Sequence, residues 1–443
     1  MSDRMTQERG SPASRTAAGD ALLYIGSTAF ALCLLRFSPF VKYRAWAGFA
    51  APTYATAALG AVAVTVLAKR SGQTMARTRL LLTLVVLIGT VAVPLAAEVS
   101  WRVERGARYA PSEVVVTEVA ARAFVHGQDP YSIGLTSPEL AGRQPSIAQH
   151  FPYLPGMVLF GLPRALLPPT RWGDARVWIA LATVIAVAAA LCRWRAPLEL
   201  RLRLLQVLLI PVGAAVLVAG GDDVPVLALC LCALVLFHRG KRAGAAAAIG
   251  LAALLKLTAW PLLAAMVIGG TARNPTRPRS AALVVAPIVV VAGVAACVAG
   301  GATAFADDVL LYPFGLTSLP SPAASTTLGT FIVDKLTAAP VMLGRTAAIG
   351  AVIAVGFAIS AAIMCALMRV CKLRIVGAAE IAAAAGAILA VLVLLAPQAR
   401  LGYLIYPLDL LAWAALMRTQ LPVADQVEAS ALLRHEPSEG FAW

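Results

Sequence analysis

The sequence predicts an all-α, polytopic membrane protein, and three observations carry that expectation. Hydrophobic residues make up 60% of the 443 and charged residues only 13%, about half the charged share of a soluble domain. The apolar residues collect in runs close to the roughly 20 residues that a helix needs to cross about 30 Å of hydrocarbon. Lys and Arg sit in short clusters between those runs, as they do where a chain fixes its orientation by keeping positive loops on the cytoplasmic side. The formal net charge of +15 is thus spread over many short clusters and not along one stripe, which argues against a nucleic-acid partner.

Residues 1–19 are polar, carry Arg4, Arg9 and Arg15, and read as a disordered cytoplasmic tail. The apolar run after them lacks a clear small-residue cleavage site and is expected to stay as a first span. Spans are expected at roughly 20–37, 46–68, 80–98, 176–193, 204–219, 223–238, 280–300, 343–368, 377–396 and 402–418. Three N-terminal spans thus occupy 20–98, an extracytoplasmic loop 99–152, a transmembrane core 153–418 and a second cytoplasmic tail 419–443.

Two further apolar stretches, 153–168 and 244–270, are interrupted by Pro155, Pro163 and Pro168 in the first and by Pro261 in the second. The clusters Lys69/Arg70, Arg193/Arg195, Arg239/Lys241/Arg242, Arg273/Arg277 and Arg369/Lys372 mark the inner side. With both termini inside, each interrupted stretch must cross an even number of times, as a re-entrant segment or as two short broken helices. Broken helices are tolerated at membrane depth where they line a cavity. The total is then about 10–13 segments. An Arg cluster on the outer side is the open alternative. The seven cysteines lie in apolar runs or at their ends and read as small buried hydrophobes. Cys230-Leu231-Cys232 is too tightly spaced for a metal pair, so neither a metal nor a cofactor is implied.

A charge near the bilayer centre is costly, so polar groups there need a reason. Four places qualify. In the outer loop, Glu113 opens a short helical segment that Gly127 stops and Asp129-Pro130-Tyr131 continues as a turn. Glu113 serves either chemistry or the helix N-terminus, where the dipole favours an anion. Gly220-Gly221-Asp222-Asp223 is squeezed between two spans, and its carboxylates either bind hydroxyls or a cation, or cap a helix. Lys256 precedes Trp260-Pro261; it either neutralises a lipid phosphate or snorkels to the interface. Arg400 opens a span with Tyr403 and Tyr406 behind it, as a phosphate grip or as part of an aromatic anchor.

Glu113, Gly127, Asp129-Pro130-Tyr131 and Phe151-Pro152-Tyr153-Leu154-Pro155 together resemble the first outer loop of actinobacterial membrane mannosyltransferases of glycosyltransferase family 87. Gly221-Asp222-Asp223, Leu255-Lys256-Leu257-Thr258-Ala259-Trp260-Pro261 and Arg400-Leu-Gly-Tyr403-Leu-Ile-Tyr406-Pro407 extend the resemblance over about 99–418. It implies the GT-C fold, a polyprenyl-phosphate sugar donor, usually mannose, and a lipid or glycan acceptor outside the cytoplasm. The enzymes it resembles elongate phosphatidylinositol mannosides and lipoglycans in the cell envelope. A carboxylate of the first outer loop is implied as general base, with Asp222, Asp223, Lys256, Arg400, Tyr403, Tyr131, His150 and Tyr153 as substrate-binding residues. The family's base is usually aspartate followed four residues later by tyrosine; here the matching positions are Glu113 and Thr117. The two helices before residue 69 look like an addition to the family core. Two other readings stay open, a lipid or small-solute transporter with broken helices at midplane and a non-catalytic partner subunit. The expected location is the bacterial plasma membrane.

Overall fold

The computed structural model describes residues 12–419, apart from 72–74, 107–108, 133–139, 141–149, 169, 272–277, 299–300, 318–325, 339–341 and 374–375. Among the described residues the regular elements are helices and no β-strand forms. The second tail expected at 419–443 lies, beyond Thr419, outside the described residues.

Helix α1 (Pro12–Phe37) starts earlier than expected, so residues 12–19 extend the first helix and do not form a disordered tail. Proline at a first helical position loses nothing by lacking an N–H and presets φ for the turn that follows. Helix α2 (Val41–Ser71) packs back on α1, and α3 (Ala76–Arg105) follows with one π-helical turn at Ile88–Ala92. Among the described residues six helices are long and apolar enough to cross a membrane, namely Ala17–Phe37, Val41–Arg70, Ala76–Arg105, Ala175–Arg193, Arg345–Lys372 and Ala378–Leu395. A seventh span results if the pair Leu198–Leu209 and Val212–Val218, bent by 53°, counts as one. Shorter apolar helices cover Asp223–His238, Arg242–Leu255, Leu257–Thr271 and Ala281–Ala295, and the expected total of 10–13 is reached only if helices of this kind also cross.

The two proline-interrupted stretches resolve differently. Residues 244–270 hold two short helices, α10 (Arg242–Leu255) and α11 (Trp260–Thr271), broken at Lys256, whose backbone is extended. Residues 153–168 hold a 3-10 turn at Pro155–Met157 and α5 (Val158–Leu166) of nine residues. At about 1.5 Å per residue, α5 is too short to span, and it lies instead across α4 (Ser112–Val125). A Cβ at Gly161 of α5 would sit 2.4 Å from the Thr117 carbonyl oxygen, 2.7 Å from the Ala121 methyl and 2.9 Å from the Glu118 Cα, so α5 seats on α4 with no room for a side chain at position 161.

Buried charges tie the bundle at both ends. Asp20 of α1 accepts from Arg79 at the start of α3 at 2.5 Å and from Arg203 of α7 (Leu198–Leu209) at 2.7 Å. Three helix starts therefore share one end, as alternating crossings require. Toward the other end, Arg102 of α3 grips both oxygens of Glu118 on α4, at 2.8 and 2.5 Å, and reaches Asp174 at 3.0 Å. Asp174 caps α6 (Ala175–Arg193), where Arg176 also pairs with Glu98 at 3.1 Å. Glu118 is fully buried, and its charge is tolerable only because each oxygen is paired. These ion pairs clamp α4 between α3 and α6.

Candidate active site

Helix α4 opens after Pro111 in extended conformation, with no side-chain cap. It closes where the Gln128 N–H donates to the Ala123 carbonyl at 2.9 Å. The Glu113 carboxylate, in the first turn of the helix, turns toward cations of two distant segments. Arg400 Nη1 donates to Oε1 at 2.8 Å and Lys42 Nζ to Oε2 at 3.5 Å. Burial alone would raise this carboxyl, but Lys42 and Arg400 outweigh it and hold it down at about 2. The Thr117 hydroxyl, at the position four residues on, is spent on the Glu113 carbonyl at 2.9 Å.

The acidic turn comes to the first turn of α4 through Gly220. Its φ of +82° is one that side chains rarely adopt, and a Cβ there would lie 2.5 Å from Val114 and 2.6 Å from Pro111. Asp222 stands before α9 (Asp223–His238) yet makes no side-chain cap bond. Both aspartates instead receive Lys256 Nζ, at 2.7 Å on Asp222 and 2.6 Å on Asp223. The Tyr406 hydroxyl adds a bond to Asp223 at 2.8 Å. Lys256 therefore does not snorkel: it is buried between the carboxylates, with the rings of Tyr153 and Tyr403 at 5.2 and 5.8 Å. One Asp222 oxygen remains buried without a hydrogen-bond partner among the described residues.

These two clusters share one cavity of about 330 Å³, lined by Glu113, Arg400, Asp222, Asp223, Lys256 and His150 among others. Its charge is uneven. Two cations face one carboxylate at Glu113, a formal +1, whereas one cation faces two carboxylates at Lys256, a formal −1. No group of three or more His, Cys, Asp or Glu comes together as metal ligands among the described residues, and the ammonium of Lys256 fills the space between the two aspartates. Such a cavity suits a ligand with an anion at one end and hydroxyls at the other.

His150 lines the wall and stacks on Tyr312 at 4.1 Å between centroids. Its Nδ1 lies 2.6 Å from Asp308 Oδ1, while Asp308 Oδ2 accepts the Phe151 N–H at 2.8 Å. Burial pushes the Asp308 carboxyl up, against these two bonds. The other ring nitrogen of His150 is buried with no partner among the described residues.

The structure therefore gathers eight of the nine sequence-derived residues at the cavity: Glu113, Asp222, Asp223, Lys256, Arg400, Tyr403, His150 and Tyr153. Tyr131 is the exception and does not line it. Buried against Phe151 and Phe305, it donates its hydroxyl to the Tyr153 carbonyl at 3.0 Å and so supports the wall from behind. Lys42 and Asp308 were missed. The signals available were a lysine beside the turn between two spans and an Asp307-Asp308 pair within an apolar stretch.

A family model described as Glycosyltransferase family 87 matches residues 151–397, more than half of the chain. The match includes Tyr153, Asp222, Asp223, Lys256 and Asp308, and stops short of Glu113 on one side and Arg400 on the other. Neither a search of curated proteins nor one of solved structures finds a match.

Proposed function

Because the chain belongs to glycosyltransferase family 87, we propose that this membrane glycosyltransferase moves a sugar, mannose by preference, from a polyprenyl-phosphate donor to a hydroxyl of a lipid or glycan. The reaction takes place on the extracytoplasmic face of the bacterial cell membrane, with both termini in the cytoplasm. The observation that carries the reading is the Glu113–Arg400 pair at 2.8 Å on the wall of the cavity, a carboxylate and a phosphate-gripping cation in contact.

The acceptor oxygen forms its bond to the anomeric carbon as the bond from that carbon to the phosphate oxygen breaks. Inversion follows from a single displacement. The acceptor proton passes to Glu113 and the electron pair leaves on the polyprenyl phosphate, which gains a second negative charge. Arg400 is the group placed to stabilise that charge, since cations aimed at developing charge act strongly in a site that excludes water.

Glu113 held at about 2 is ionised at neutral pH but is a weak base. Donor binding resolves this: a phosphate that engages Arg400 competes for its donors and returns basicity to Glu113 only when donor is present. Asp222 and Asp223 accept hydrogen bonds from sugar or acceptor hydroxyls at the negative end, and His150 offers its free nitrogen to another.

Purified protein incubated with radiolabelled polyprenyl-phosphate mannose and mixed envelope lipids should yield labelled product that survives mild acid. The absence of product with this and other polyprenyl-phosphate sugars would remove the reading.

A further inference from the structure

Lys42 belongs to the hairpin of α1 and α2, which lies wholly outside the matched family segment of residues 151–397. Its amine nevertheless reaches Glu113 Oε2 at 3.5 Å, and Lys42 and Tyr43 both line the cavity. Local helix energetics do not explain it. Lys42 is the second residue of α2, where the helix dipole disfavours a cation. Its placement is deliberate in the sense that the turn before it is braced: Arg44 Nη1 donates to the Ser38 carbonyl at 2.7 Å, and Ser38 Oγ accepts the Phe40 N–H at 3.2 Å.

Glu113 cannot neutralise both of its partners. Arg400 takes one oxygen at 2.8 Å and Lys42 stands off the other at 3.5 Å, the longer of the two contacts. One positive charge of this cluster is thus left without a counter-charge in contact, and since the Lys42 and Arg400 side chains are 25% and 43% exposed and line the cavity, an anion entering it can reach both.

We propose that Lys42 is a second phosphate-binding cation beside Arg400, so that the N-terminal hairpin is part of the donor-binding machinery and not an appendage to the family core. The ligand it takes is the phosphate of a lipid-linked sugar, and the assignment rests on the donor class proposed above. One phosphodiester charge balances the surplus: the phosphate bridges Arg400 and Lys42, and Glu113 is released to face the acceptor.

The test uses the full-length protein in detergent with two probes that cannot react, polyprenyl phosphate and the uncharged polyprenol. Wild type should prefer the phosphate. Lys42→Met keeps the stem and removes the charge, and should lower phosphate affinity about tenfold or more with polyprenol binding unchanged; Lys42→Arg should retain the preference. If the Met variant does not reach the folded state, Lys42→Gln takes its place. Wild-type phosphate preference in the Met or Gln variant overturns the role of Lys42 alone. A wild type with no preference overturns the donor class and Lys42 together.

Discussion

Arg400 follows Glu113 by 287 positions and donates to its Oε1 at 2.8 Å. One comes from α4, the other from the turn that leads into Ile405–Arg418, and neither lies in the matched family segment. The contact closes the cavity from two sides. It also gives the carboxylate an electrostatic reason for its state: Glu113 stays ionised because Arg400 and Lys42 are there, while Arg400, its side chain 43% exposed, is charged in any case.

Arg400→Ala removes a charge-assisted contact of about 1.5–3 kcal/mol. Donor affinity should fall roughly 10–150-fold at about 1.4 kcal/mol per decade, read by titration with labelled donor. Arg400→Lys should recover only part of it, since lysine lacks the planar fork. A folded Ala variant with unchanged donor affinity would reduce Arg400 to an interfacial anchor.

Glu113→Gln keeps shape and loses the proton acceptor, so turnover should drop at least about 100-fold, the lower end of general-base effects. Glu113→Asp should fall between Gln and wild type. The same residue leaves a signature in stability. Its carboxyl lies at about 2 against a reference of 4.5, a depressed value, so its contribution is present above 4.5 and is lost as pH falls from 4.5 toward 2. The melting temperature of the wild type should decline over that window more steeply than that of Glu113→Gln. Equal turnover in Gln and wild type would make Glu113 structural.

Asp222→Asn with Asp223→Asn leaves Lys256 buried without a counter-charge. Breaking a buried pair in this way costs about 3–5 kcal/mol, so melting in detergent should fall together with transfer. Adding Lys256→Met to the pair should restore the melting temperature without restoring transfer. Full activity in the double Asn variant would show that neither carboxylate touches substrate.

Side assignment is checked by cysteine labelling in intact cells. Ser137→Cys, within residues 99–152, should react with an impermeant thiol reagent, and Lys241→Cys, exposed just before α10, should not. The reverse pattern would place the cavity in the cytoplasm.

Much of this arrangement was legible in the sequence, because buried charge is rare in an apolar chain and each instance attracts scrutiny. Asp222, Asp223, Lys256 and Arg400 were found that way. Their pairing was not legible: Lys256 and Asp222 are 34 positions apart with two helices, α9 and α10, between them, and a one-dimensional pattern cannot tell a snorkelling lysine from one held by two aspartates. Glu118 lies five residues after Glu113, roughly 500° around the helix at 100° per residue, so it points away from the cavity, and the structure locks it to Arg102. The place of Tyr131 behind the wall was not legible either, because a tyrosine in a conspicuous turn looks the same whether it meets substrate or props a carbonyl. Lys42 carried no signal of its own in the sequence, since a basic residue beside a span has an ordinary explanation as an orienting charge.

Gly161 sets a tolerance for the machinery. The helix that bears Glu113 rests directly on the backbone at position 161, 2.4 Å from where a methyl would begin, while Arg102 pins its far side through Glu118. Gly161 is in effect a shim of zero thickness. The height at which the carboxylate stands in the cavity is gauged by the absence of one carbon atom, on a residue that does not line the cavity. Variation in reach between aspartate and glutamate at position 113 is then adjustable from behind, by how closely two helices are allowed to seat.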